Sequence, residues 1–223
     1  MQRSVALLGC LAALVVGLIL FFVYGVGVNN NLVKLDEAVN SQWSNVENVY
    51  QRRFDLIPNL VRTVQGAANF EKSTLEAVVN ARARVGQVAS SGPGAPGSAG
   101  AAAAPSDPAK FQQFQQAQDQ LSGALSRLLV VVERYPDLKS NQNFLELQSE
   151  LEGTENRIAV ERRRYNETAQ TFNSAVRQFP ASIVAGMRGF KQKEYFKAVA
   201  GSEAPPPVNF DFGTGTTATQ PKS

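Results

Sequence analysis

The stretch FLELQSELEGTENRIAVERRRYNETAQTFNSAVRQF (residues 144–179) decides the fold. Phe144, Leu147, Leu151, Ile158, Tyr165, Phe172, Ala175 and Phe179 fall along it on one seven-residue repeat. That spacing lays apolar side chains on one face of an α-helix, with the charged residues on the other. The helix is expected to begin near Ser140. Phe179-Pro180 stops it, because proline disfavours helical backbone in the residue before it.

The same pattern extends outward on the amino-terminal side. Asp107-Pro108 reads as an N-cap followed by a proline at the first helical position. Phe111, Phe114, Leu121, Leu125, Leu128, Val132 and Tyr135 then hold a heptad in which Gln118 is the one polar member. Tyr135-Pro136-Asp137 ends that helix. Residues 91–105 are all Gly, Ala, Pro or Ser, a composition that cannot bury a core and reads as a flexible linker. Before it, Leu75, Val78, Val79 and Val85 mark a helix over residues 70–88, with Asn69 as a candidate N-cap.

Further upstream, Leu32, Leu35, Val39, Val46, Val49, Leu56 and Leu60 alternate in threes and fours, with Trp43, Tyr50, Ile57, Val61 and Val64 as a second stripe beside them. These define a helix over residues 29–68. Pro58 lies inside it, and a kink or break is expected near residues 54–58. No segment sustains the alternation of a strand. The fold class is therefore all-α, an elongated antiparallel bundle of about four long helices over residues 29–200. Residues 201–223, with three consecutive prolines from Pro205, read as a tail whose Val208, Phe210 and Phe212 could tack it to the bundle.

Residues 5–28 are apolar or small, with Tyr24 the single polar-tipped member. Such a run reaches roughly 36 Å as a helix, enough to cross a hydrocarbon core of about 30 Å. It reads as a transmembrane helix continuous with the one that follows. Two other readings compete. A cleaved signal peptide has a shorter apolar core and a small-residue cleavage site. Leu7-Leu8-Gly9-Cys10 is similar to a lipobox, although most of the apolar run lies beyond it. Arg3 before the run and Lys34 after it leave orientation finely balanced, with a slight bias toward a non-cytoplasmic bundle.

Composition narrows the chemistry. There is no histidine, one cysteine and a net charge of +3. The commonest general base is missing, and an internal disulfide or a cysteine zinc site is excluded. The weak charge does not suggest nucleic-acid binding. No phosphate-binding loop, dinucleotide fingerprint, nucleophile elbow or zinc-protease motif occurs. Glu146/Glu150 and Glu152/Glu155 read as solvated helix faces. No catalytic residue, metal ligand or cofactor is assigned.

Two charged groups stand apart. Arg53 falls on the apolar stripe of the first helix and Glu161 on the heptad line of the last, which suggests a structural ion pair. The alternative gathers Arg52, Arg53 and Arg162, Arg163 and Arg164 into a phosphate or lipid-headgroup site. Tyr135-Pro136-Asp137-Leu138 reads as a helix-terminating turn or as a recognition loop. In residues 180–201, Arg188, Lys191, Lys193 and Lys197 are interleaved with Ile183, Val184, Met187, Phe190, Tyr195, Phe196 and Val199. This composition suits either a bundle cap or contact with anionic lipid.

The runs WSNVENVYQRRFDLIPNLVRTVQG (residues 43–66), FEKSTLEAVVNARA (70–83), LSGALSRLLVVVERYPDLKSNQNFLELQSELEGTENRIAVERRRYNE (121–167) and FNSAVRQFP (172–180) resemble the LemA family of bacterial membrane proteins. The resemblance implies an amino-terminal membrane anchor and a long helical bundle in the cell envelope, with no established enzymatic activity. One relative participates in magnetosome membranes, and others are encoded beside membrane proteins, which implies a scaffold or partner-binding role. The expected function is a non-enzymatic anchored scaffold, with protein partners or further copies of itself. The Gln112, Gln113, Gln115 and Gln116 face is compatible with self-association. Lipid binding or membrane shaping through residues 180–201 is the alternative. An unrecognised hydrolase is a third reading, with no motif behind it.

Overall fold

A computed structural model describes residues 2–66, 70–90 and 107–197. Six helices follow in order: α1 (Gln2–Gln65), α2 (Lys72–Ser90), α3 (Pro108–Val132), α4 (Pro136–Lys139), α5 (Gln142–Arg177) and α6 (Ala181–Arg188). The described residues contain no strand. The glycine- and alanine-rich linker, the Asn69 cap and the carboxy-terminal tail lie outside the described residues.

Capping side chains explain where two helices begin. Asp107 caps α3, its carboxylate accepting from the Ala109 N–H at 3.0 Å, with Pro108 next. Asn141 caps α5 by accepting from the Phe144 N–H at 3.2 Å. Each of these caps satisfies an amide that the helix leaves without an internal partner. The Tyr135-Pro136 turn winds into the short α4, which buries Leu138.

Pro58 does not end the helix: α1 continues through it to Gln65. The missing amide leaves the Phe54 carbonyl, four residues back, without its usual donor. Arg82 of α2 supplies one, its Nε–H donating to Phe54 O at 3.3 Å. The same guanidinium lies 3.8 Å from the centre of the Phe54 ring. A neighbouring helix thus compensates locally for the proline; of the expected kink or break, the break does not occur.

Phe179 also departs from expectation. It falls on the inward heptad line but is 82% exposed. The helix ends at Arg177 and Gln178 adopts extended backbone, so the heptad no longer governs where Phe179 points. After it comes α6, closed by Gly189 in the left-handed region at φ 76°. Glycine takes that conformation without a Cβ penalty.

Packing is concentrated between α1 and α5 and between α2 and α3. Two apolar clusters result. One contains Ile57, Leu60, Val64, Val78, Leu121, Leu128, Phe144 and Leu151. The other contains Val39, Trp43, Val46, Phe111, Phe114, Tyr165, Phe172 and Phe196. Trp43 lies at the heart of the second, with its ring 5.4 to 6.0 Å from those of Phe111, Phe114, Tyr165 and Phe196. Truncating one such buried aromatic to alanine typically costs about 3–5 kcal/mol.

Candidate functional site

A polar layer separates the two clusters. On α1 it falls between Tyr50 and Ile57 and on α5 between Leu151 and Ile158, while on α3 Gln118 and Ser122 interleave with Ala117 and Leu121 of the first cluster. Its centre is Arg53, only 1% exposed. Arg53 Nη1 donates to Glu155 Oε1 at 2.5 Å and to Ser122 Oγ at 2.7 Å. Nη2 donates to the Gln118 side-chain oxygen. Gln118, the odd polar member of the α3 heptad, is buried in order to receive that bond.

The expected Arg53–Glu161 pair does not form. Glu161 instead accepts from Gln42 Nε2 at 2.6 Å and from Arg164 at 2.8 Å. The reason is register. Along α1 and α5 the numbering runs in opposite senses, since Gln42 meets Glu161 while Arg53 meets Glu155. The heptad line identified the inward face of α5 but not its level. Glu161 lies six residues, about 9 Å, further along the helix than Glu155.

Nor do the arginines converge on one site. Arg162 turns inward: Nε donates to the Tyr50 hydroxyl at 2.5 Å and Nη2 to Asp119 at 3.1 Å. Its guanidinium also sits 5.1 Å from the centre of the Phe196 ring. Burial pushes the Tyr50 phenol up, against the opposing pull of the Arg162 and Arg53 cations. Arg52, Arg163 and Arg164 are exposed, and the latter two pair with Glu167 and Glu161 on their own helix. Beside the aromatic cluster, burial raises the Glu47 carboxyl, partly opposed by the Trp43 indole N–H that donates to it at 2.6 Å.

Residues 190–197 are extended and lie along α5 as a strap. Asn173 donates to Lys193 O at 2.8 Å and accepts from Lys193 N at 2.7 Å. Asn166 makes the same two bonds with Phe196, both at 2.9 Å. Seven helical residues rise about 10.5 Å and three extended residues about 10.2 Å, so the two clamps match in pitch. Gln115 of α3 adds a bond to Lys197 O at 2.9 Å. Phe196 fills the aromatic cluster, and Lys193 is buried, with Nζ 2.8 Å from Asp36 and 5.5 Å from the Phe172 ring centre. Of the four basic residues assigned to lipid contact, Lys193 is therefore a packing and pairing residue. Arg188, Lys191 and Lys197 are exposed.

The sequence pattern carries only half of the strap's signal. Asn166 and Asn173 directly follow two heptad aromatics, Tyr165 and Phe172, and that repeat is visible in the sequence. Nothing in it names a backbone as their partner. Next to the strap, the surface around α6 and the end of the apolar run is apolar outside: Phe21, Phe22, Ile183 and Met187 are all exposed. Part of α1 is long and apolar enough to cross a membrane.

These features define an all-helical, membrane-associated protein whose buried polar groups join helix to helix. The chain belongs to the LemA family, whose model matches residues 42–210. Magnetosome protein MamQ 2 of Paramagnetospirillum magneticum is 29% identical over 182 residues, covering 79% of this chain and 67% of that protein. Magnetosome protein MamQ of Magnetospirillum gryphiswaldense is similar to the same extent. Protein LemA of Metamycoplasma hominis is 26% identical over 167 residues, covering 75% of this chain and 67% of its own. None of these names describes an enzymatic activity.

Proposed function

We propose that this protein is a non-enzymatic, single-pass scaffold of the bacterial cell membrane, anchored through residues 5–28. Residues 29–200 then form an elongated antiparallel bundle of about four long helices that presents its outer faces to protein partners, including further copies of the chain. The observation that carries this reading is the fate of the buried polar side chains. Arg53, Gln118, Asn173 and Lys193 are all engaged in holding elements together. What remains for recognition is the exterior, where Gln112, Gln113 and Gln116 are exposed and Val130 is 71% exposed. The slight charge bias favours a non-cytoplasmic bundle. No nucleic-acid role is assigned.

The test is site-specific photocrosslinking in intact membranes. A photoreactive residue at Gln113, Gln116 or Val130 should give discrete adducts with other proteins or with a second copy, while one at buried Leu121 should not. No discrete adduct at any of the three exposed positions would overturn the scaffold reading.

A second reading, contact with lipid near residues 180–201, draws on the exposure of Phe179, Ile183 and Met187. It requires α6, and not the strap, to be the lipid-facing element.

A further inference from the structure

Among the grooves on the described surface, one is apolar and adjoins the part of α1 long enough to cross a membrane. It lies between residues 21–29 of α1 and helix α6, and measures about 420 Å³. That is within the range of about 300–1,000 Å³ usual for small-molecule sites. Phe21, Phe22 and Val26 face Ile183, Val184 and Met187 across it. The residues of α1 that line it span about 12 Å of helix. α6 therefore lies alongside the last turns of the apolar run, where an interfacial helix settles about 5–10 Å into the headgroup boundary.

Three residues with polar groups line the same groove, Tyr24, Asn29 and Arg188. The Asn29 amide donates to Asn30 at 3.5 Å, but its Oδ1 is buried and has no hydrogen-bond partner. A buried acceptor without a donor is a costly arrangement that a ligand hydroxyl would relieve. Arg188 is exposed, and no ion pair among the described residues includes it. Its guanidinium is suited to bind a phosphate with two parallel bonds.

The geometry points to a binding site for one anionic glycerophospholipid with a hydroxylated headgroup, of the phosphatidylglycerol kind. An acyl chain occupies the apolar groove, the phosphate meets Arg188, and a headgroup hydroxyl donates to Asn29 Oδ1. This rests on the membrane-anchored reading and adds to it a resident lipid, held between the anchor and the end of the bundle. Generic lipid around a transmembrane helix needs neither the arginine nor the orphan acceptor.

The test uses the full chain reconstituted in nanodiscs of phosphatidylcholine with or without phosphatidylglycerol, each lipid in turn carrying a diazirine on its acyl chain. Phosphatidylglycerol adducts should concentrate on residues 21–26 and 183–187. Phosphatidylcholine adducts there should be at least threefold weaker. Arg188→Gln should cut the phosphatidylglycerol yield at least threefold, as should Val184→Trp, which fills the groove. Circular dichroism shows whether each variant keeps its helix content. If the chain inserts but adducts spread evenly along residues 11–26, unchanged in Arg188→Gln, the lipid site is overturned while the anchor stands. If the chain fails to enter nanodiscs at all, the membrane reading itself falls.

Discussion

Asn173 holds Lys193 by both edges of its side-chain amide, as one strand holds another. Nothing else in the described chain pairs an extended segment with a helix in this way except Asn166 with Phe196. Each clamp needs one acceptor and one donor. Asn173→Asp keeps the acceptor but sets a carboxylate oxygen against the Lys193 carbonyl. It should destabilise the strap by about 1–3 kcal/mol. Hydrogen exchange is the measurement: the Lys193 and Phe196 amides should lose protection while the middle of α5 keeps it. Unchanged protection at both amides would show that the Asn173 clamp does not hold the strap.

Arg53 is buried and donates to three side chains. Arg53→Met leaves Gln118 and Ser122 without their donor and should cost about 3–5 kcal/mol in a denaturant melt. Glu155 is 40% exposed and can rehydrate, so Glu155→Leu alone should cost less. In double-mutant cycles, Arg53→Met and Glu155→Leu should couple by more than about 0.5 kcal/mol. Arg53→Met and Glu161→Leu should add within that margin. Coupling to Glu161 and not to Glu155 would contradict the register of α1 on α5.

The Tyr165 hydroxyl is buried without a hydrogen-bond partner, and burial pushes its phenol up. The ring is needed for the aromatic cluster but the hydroxyl is not. Tyr165→Phe should therefore be neutral or stabilising by up to about 1 kcal/mol. A loss of more than 1 kcal/mol in the melt would mean that the hydroxyl has a partner, such as an ordered water.

Glu47 gives a pH dependence with a definite sign. Its folded pKa is raised above the ordinary 4.5 because burial disfavours the carboxylate. The folded state therefore binds the proton more tightly than the unfolded state does. The associated stability is fully present below pH 4.5 and is lost as pH rises through the folded value. Glu47→Gln removes this titration while keeping an acceptor for the Trp43 indole. Relative to the variant, the parent should lose stability between pH 4.5 and neutrality. Melting curves that stay parallel over that interval would refute the assignment.

The heptads made the helices legible, and the Asp107 cap marked where one of them begins. Side-chain periodicity reports which face of a helix turns inward. It does not report the level at which two helices meet, which is why Arg53 was matched with Glu161 in place of Glu155. Pro58 misled for a related reason: its local cost is visible in the sequence, while Arg82, 28 residues away in α2, is visible only after folding. The strap was hidden because its partners recognise backbone, and backbone carries no letter. Lys193 then read as one more surface cation among Lys191 and Lys197.

The unbroken course of α1 has a mechanical consequence. From Asn29 to Gln65 the helix rises about 54 Å without a joint, and α5 splints it over much of that length. On the membrane reading, whatever binds near Phe70 and Tyr135 is held at a set stand-off from the bilayer, with no tether to swing on. A twist of the anchor within the lipid would be transmitted to that far tip as rotation, as a shaft transmits torque.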